Sequence, residues 1–220
     1  MAYELIDDGE VWFPDPLVNP PDDDGFFCYG GDLSVDRLLL AYSHGIFPWY
    51  SFRWHNEPLW YCPMDRFVIF PREIHISHSM HTMLNKHEYS VSFNACFDRV
   101  IRNCSEPRID QSGAWLGDDM IKAYTELHKR GFAQSVEAWH GDELIGGLYG
   151  VTLGSCFFGE SMFSLQPNGS KIALIALATA LSQDENSLID CQFETAHLKS
   201  MGGRHISYEK YMSILHQTIP

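Results

Sequence analysis

Ala133-Gln134-Ser135-Val136-Glu137-Ala138-Trp139, then Leu144-Ile145-Gly146-Gly147-Leu148-Tyr149-Gly150-Val151-Thr152-Leu153, then Ser155-Cys156-Phe157-Phe158-Gly159 are three apolar runs separated by His140-Gly141-Asp142-Glu143 and Gly154. Apolar runs of this length bounded by Gly- and Asp-bearing turns predict three strands joined by two hairpins. Beyond them Ser170 is expected to cap a helix to about residue 182, residues 187–191 to form a short apolar strand, and 195–201 and 207–217 two closing helices. Upstream the pattern alternates: strand 67–70, helix 79–87, strand 89–93, helix 95–104, a loop over 105–117 that holds Trp115, and helix 118–130. That last helix has acids in its first turn, bases in its last and Gly131 at its stop, all favourable to the helix dipole. The chain is therefore expected to be an α/β (α+β) protein.

The first sixty residues read differently. Turn signals such as Phe13-Pro14-Asp15-Pro16 and Asn19-Pro20-Pro21-Asp22 predict irregular structure around one helix, 35–44, capped by Ser34 and stopped by Gly45. The aromatic segment Gly45-Ile46-Phe47-Pro48-Trp49-Tyr50 that follows is either a hydrophobic plug between domains or a surface on which a ligand stacks. Two domains are expected: a small aromatic-rich one over 1–62 and a larger catalytic one over 63–220.

Composition narrows the function classes. The chain has 220 residues, 45% of them hydrophobic, enough for a full core. Its start lacks a basic and apolar leader, and the longest apolar run, 172–181, is too short to cross a bilayer. A cytosolic protein without a membrane segment is expected. Six scattered cysteines form no Cys-x-x-Cys pair, so they read as reduced thiols, with no metal site. The net charge of −14 opposes a generic nucleic-acid binder. The charge is uneven: residues 1–64 carry −9 and the remainder −5. Only 66–108 leans positive, where Arg66, Arg72, Lys86, Arg99, Arg102 and Arg108 accompany His75, His78, His81 and His87.

Candidate chemistry gathers at strand ends, where α/β proteins usually place it. Glu160 follows the third hairpin strand, where a carboxylate could bind a cation, orient an amine or act as a base; alone it could equally be a rim residue paired with Lys171. Asp190-Cys191-Gln192 ends the later strand. If that strand continues, Asp190 and Gln192 face one way. Gln192 then offers a carbonyl oxygen to an attacking N–H, and Asp190 can steady the amide. The alternative is a satisfied turn.

The succession of helices, three-stranded meander, helix, strand and helix resembles the core of the GCN5-related acyltransferase fold. In that fold the helix after the meander binds the coenzyme A pyrophosphate through a Gly-rich loop. Here the loop reads Gln166-Pro167-Asn168-Gly169-Ser170-Lys171, and the long Lys171 side chain disfavours coenzyme A.

A more specific resemblance runs from about residue 13 to 211. Gly30-Gly31-Asp32-Leu33-Ser34, Gly45-Ile46-Phe47-Pro48-Trp49, His75-Ile76-Ser77, Trp115, Ala123-Tyr124, Ser135-Val136-Glu137, Gly146-Gly147, the stretch 159–164, Asn168 with Ser170-Lys171, Asp190-Cys191-Gln192 and His197 stand in order and at matching spacing. Together they resemble the bacterial leucyl/phenylalanyl-tRNA–protein transferase family.

The resemblance implies transfer of leucine, phenylalanine or methionine from aminoacyl-tRNA to a protein beginning with Arg or Lys, which creates an N-terminal degradation signal. An aminoacyl ester is already activated, so no cofactor is implied; placing amine and ester together supplies much of the acceleration. By the same resemblance Asp190, Gln192 and Glu160 are catalytic, and Trp49 and Trp115 hold the terminal adenosine. Leu148, Phe157, Leu174, Leu177 and Leu181 would line the slot for the aminoacyl side chain, Phe157 and Leu177 foremost. Arg72, His78, His81 and Lys86 would meet the tRNA acceptor stem, and the protein is expected to be monomeric.

The chain also departs from the family. Histidines replace several Arg and Lys after His75-Ile76-Ser77, so charge on that face depends on protonation. Gln134, Leu116, Gly169 and Ser207-Tyr208 replace the usual His, Ile, Ala and Pro-Arg. An acyl-CoA N-acetyltransferase and a non-catalytic module for basic N-termini are the other readings.

Overall fold

The computed structural model describes residues 3–5, 9–49, 57–106 and 117–218. Two sheets organise the described residues. The first, which the turn-rich sequence of the first sixty residues does not announce, runs in the order β1-β2-β4-β3: β1 (Tyr3–Leu5), β2 (Phe26–Gly30), β4 (Leu59–Tyr61) and β3 (Phe47–Pro48). Strands this short carry no measurable alternation and are held by distant partners. Trp60, for example, donates its indole N–H to the Gly30 carbonyl at 3.0 Å.

Helix α1 (Val35–Ser43) lies beside this sheet, with the Ser34 hydroxyl accepting from Arg37 N–H as expected. Gly45 follows at φ +69, and a Cβ there would sit 2.7 Å from the Tyr211 ring. Only glycine both adopts that conformation and admits the ring.

The second sheet has seven strands in the order β11-β5-β10-β9-β8-β7-β6. These are β5 (Asp65–Ile69), β6 (Tyr89–Phe93), β7 (Ala133–His140), β8 (Glu143–Leu153), β9 (Cys156–Ser164), β10 (Leu188–Asp190) and β11 (Arg204–Ser207). All pairings are antiparallel except β9 with β10. Residues 144–151 of β8 are buried without a break, because helices cover the sheet on each side. Tyr149 and Phe158 face a core shared with α1, α3 (Phe97–Ser105), α4 (Asp118–Lys129) and α7 (Tyr208–Thr218). Leu148 and Phe157 face the opposite core, shared with α2 (His78–Leu84) and α5 (Gly169–Leu181), while α6 (Ala196–Ser200) follows the site loop.

Three expectations need correction here. β9 does not stop at Gly159 but runs to Ser164, because Gly150 pairs with Gly159 while Tyr149 pairs with Ser161. Glu160 is thus the extra residue of a bulge, a device that redirects a strand and its side chain. Ser170 does not cap α5; Asn168 is the cap residue at φ +70, and the Ser164 hydroxyl accepts from Ser170 N–H at 2.9 Å. The strand holding Asp190 ends there, and Gln192 turns into the left-handed region at φ +64. Gly146 lets α5 lie directly on β8, since a Cβ on it would come within 2.4 Å of the Gly169 backbone.

Candidate active site

β9 and β10 pair from Leu188↔Cys156 to Asp190↔Phe158, after which β10 ends and the bulged β9 continues. A cleft of about 970 Å³ opens at this parting. Its floor and sides bring together Glu160, Asp190, Gln192 and Trp49 with the apolar Leu148, Phe157, Leu174 and Leu177. Leu181 lies further along α5, partly buried among core residues and away from the lining. Ile189, Met162, Phe163, Phe193 and Leu198, given no place in the slot by sequence, also line it. Trp49 is 43% exposed and packs on Phe193 at 4.8 Å and on Tyr61 at 5.4 Å. The expectation for Trp115 lies outside the described residues.

Asp190 is fully buried and saturated. Arg66 holds it from Nε at 2.9 Å and from Nη2 at 2.7 Å, and Tyr211 donates its hydroxyl at 2.8 Å. The Arg66 guanidinium, itself 1% exposed, lies over the Phe47 and Tyr211 rings at 4.7 and 4.9 Å. Burial, the largest single influence, would lower the Arg66 pKa, but the Asp190 charge together with Tyr211, the Asp190 hydrogen bonds and Cys62 outweighs it and holds the guanidinium above its usual value. Asp190 Oδ1 also accepts from the Gln192 backbone N–H at 2.8 Å. Asp190 therefore steadies Gln192 through the main chain, where side-chain contact was expected.

The Gln192 amide instead donates Nε2–H to Glu160 Oε1 at 3.0 Å. With nitrogen committed to the acid, the carbonyl oxygen is the end of the amide left for an N–H donor. Glu160 meets two phenols as well: Tyr42 Oη lies 2.7 Å from Oε1 and Tyr124 Oη 2.7 Å from Oε2. Burial pushes the Glu160 carboxyl up to about 7, the Asp190 charge adding to the rise, while bonds from Tyr42, Tyr124 and Gln192 pull the other way. Burial, then the Glu160 charge, raises the Tyr42, Tyr124 and Tyr149 phenols well above their ordinary value.

Sequence reasoning assigned no role to Tyr42, Tyr124, Arg66 or Tyr211. The available signal was weak: Tyr42 continues the buried stripe Val35-Leu38 at helical spacing, as any core tyrosine would. On the surface, His78, His81 and Lys86 are exposed on or beside α2. Arg72 is exposed too, but donates to the Ser182 carbonyl at 2.8 Å, at the C-terminal end of α5. Among the described residues no helix is long and apolar enough to cross a membrane.

Comparison with known proteins places this chain among the transferases. The leucyl/phenylalanyl-tRNA protein transferase family model matches residues 68–216, and the model of that family's N-terminal domain matches 31–64. The chain belongs to the leucyl/phenylalanyl-tRNA–protein transferase family. It is 47% identical over 209 residues to the leucyl/phenylalanyl-tRNA–protein transferase of Syntrophobacter fumaroxidans, covering 93% of this chain and 88% of that protein. The corresponding Flavobacterium johnsoniae protein is 48% identical over 202 residues, covering 91% and 94%. Among solved structures, L-PGS from Bacillus licheniformis superposes with a TM-score of 0.43 at 12% identity, over 84% of this chain and 70% of that one, a likeness too slight to carry an argument.

Proposed function

We propose that this enzyme transfers leucine, phenylalanine or methionine from aminoacyl-tRNA to the N-terminal Arg or Lys of an acceptor protein, and so creates a degradation signal. The observation that carries the reading is the juxtaposition in one cleft of an apolar slot and the Gln192–Glu160 pair. Leu148, Phe157, Leu174 and Leu177 hold the aminoacyl side chain, and Trp49, with Trp115, stacks on the terminal adenosine.

The acceptor's α-amine attacks the ester carbonyl. Its lone pair forms the peptide bond, the ester C–O bond breaks, and the tRNA 3′ oxygen leaves with a proton. Gln192 orients the amine by accepting an N–H at its carbonyl oxygen, Asp190 and Arg66 fix the turn that carries Gln192, and Glu160 holds its amide. The tRNA acceptor stem meets Arg72, His78, His81 and Lys86. We read the chain as two domains, 1–62 and 63–220, the second with a GCN5-related acyltransferase-like core, acting as a cytoplasmic monomer.

Incubation with labelled Leu-tRNA, or separately acetyl-CoA, and a peptide beginning with Arg tests this. Label passing from tRNA to the peptide is expected. Label arriving only from acetyl-CoA would make the protein an N-acetyltransferase, and peptide binding without transfer would make it a recognition module.

A further inference from the structure

Hydrogens and contacts around Glu160 do not match in number if the side chain is ionised. Three oxygen pairs close a ring: Tyr42 Oη to Glu160 Oε1 at 2.7 Å, Tyr124 Oη to Oε2 at 2.7 Å, and Tyr42 Oη to Tyr124 Oη at 2.5 Å. The two phenols bring one hydrogen each, and a carboxylate brings none. One of the three contacts would then set two oxygens face to face without a hydrogen, in a site where Tyr42 and Tyr124 are 0% exposed and Glu160 is 8% exposed.

A third proton closes the ring. Placed on Oε2, it lets Glu160 donate to Tyr124, Tyr124 to Tyr42, and Tyr42 back to Oε1. Oε1 is then a carbonyl oxygen with two lone pairs, and the second accepts the Gln192 amide at 3.0 Å. We propose that Tyr42 and Tyr124 hold Glu160 as a neutral carboxylic acid in the empty cleft, and that an ammonium or guanidinium of the acceptor displaces that proton when it docks.

The groups facing Glu160 agree with this. Tyr42 comes from α1, Tyr124 from α4, Asp190 from β10 and Gln192 from the turn after it. From β8, Tyr149 packs its ring on Tyr124 at 5.5 Å, and its hydroxyl has no hydrogen-bond partner among the described residues; the Cys104 thiol of α3 is near enough to act on it. None of these is a cation, and Arg66, the guanidinium in this region, is committed to Asp190. A second anion beside Asp190 would lack compensation, whereas a neutral acid does not. The rise of the Glu160 pKa by burial points the same way.

The exchange balances as carboxylic acid plus cation giving a carboxylate–cation pair and one proton released to buffer. It also discriminates. A cation gains a charge-assisted pair for opening the ring, while an uncharged group opens the same ring for a neutral bond.

The docking half rests on the acceptor proposed above; the protonation half does not. Infrared difference spectra of the ligand-free protein carrying carbon-13 glutamate, between about pH 6 and pH 9, report the carbonyl stretch of a protonated carboxyl directly. One such glutamate band is expected at the acid end, absent from Glu160→Gln and displaced by Tyr124→Phe or, should that variant misfold, by Tyr42→Phe. Calorimetric titration with a peptide beginning with Arg, at about pH 6 in buffers of different ionisation enthalpy, is expected to release about one proton per site, and none from Glu160→Gln.

A missing band, or a band unmoved by loss of either phenol, overturns the neutral acid. A band with no proton released on peptide binding overturns the exchange. Failure of aminoacyl transfer in the labelled-tRNA assay, with the band present, strikes the proposed function and leaves the neutral acid standing.

Discussion

Glu160 and Asp190 are two buried carboxylates in one cleft whose charges are handled in opposite ways. Asp190 has a guanidinium against it, and removing that partner leaves a buried charge with no counterion. Arg66→Met is expected to cost about 3–5 kcal/mol of stability, read from denaturant unfolding; a loss below about 1 kcal/mol would mean that water or another cation reaches Asp190. Among the described residues Glu160 has no such counterion. Its pKa is higher folded than unfolded, so its contribution to stability is whole below the ordinary 4.5 and disappears as pH rises through about 7. The wild type should lose on the order of 3 kcal/mol relative to Glu160→Gln between pH 5 and pH 8.5. Parallel stability curves for the two proteins would show that Glu160 is not perturbed. Gln192 carries no charge, and Gln192→Ala should lower kcat about 100-fold or more with the unfolding midpoint unchanged. A change confined to KM would remove it from the reacting centre.

Among the elements, the contact of α5 with β8 sets the width of the apolar slot, because Leu174 and Leu177 come from the helix and Leu148 from the strand. Gly146→Ala drives a methyl group into the Gly169 backbone and should cost about 1–3 kcal/mol while changing KM for the aminoacyl donor. Unaltered stability together with unaltered KM would show that the helix can move off without consequence.

The long elements were legible because their signals are local. α4 has its charges and glycine stop in sequence, and the β7–β8–β9 meander has its turns. β1, β2, β3 and β4 were not legible, since strands of two to five residues take their meaning from partners elsewhere in the chain. The bulge at Glu160 was hidden for a related reason: it is a mismatch between two strands, and neither strand shows it alone. Asp190, Gln192 and Glu160 could be given roles from sequence, whereas Tyr124 stood among the matching residues without a role and Tyr42 showed only core spacing. Tyr42 stands 118 residues away and Tyr124 36.

For the molecule as a whole, the proposed tRNA contact around α2 has to form on a chain with a net charge of −14. His78 and His81 are exposed there with Lys86 close by. Affinity for aminoacyl-tRNA should fall with rising salt, and His78→Lys with His81→Lys should strengthen binding and steepen that salt dependence as more phosphate contacts form. A salt slope unchanged by the two substitutions would move the tRNA interface elsewhere.

The Tyr211 hydroxyl on Asp190 also ties the cleft to a part of the chain that supplies none of the reacting groups. Arg66, Glu160, Asp190 and Gln192 all precede α7, yet it is α7 that lays Tyr211 against the fully buried Asp190. A chain cut before Tyr208 keeps every residue assigned to the chemistry and lacks one of the two side chains that hold its most deeply buried charge. Such a truncation should therefore abolish aminoacyl transfer in the labelled-tRNA assay, and transfer at the full rate would show that Asp190 does without this cover.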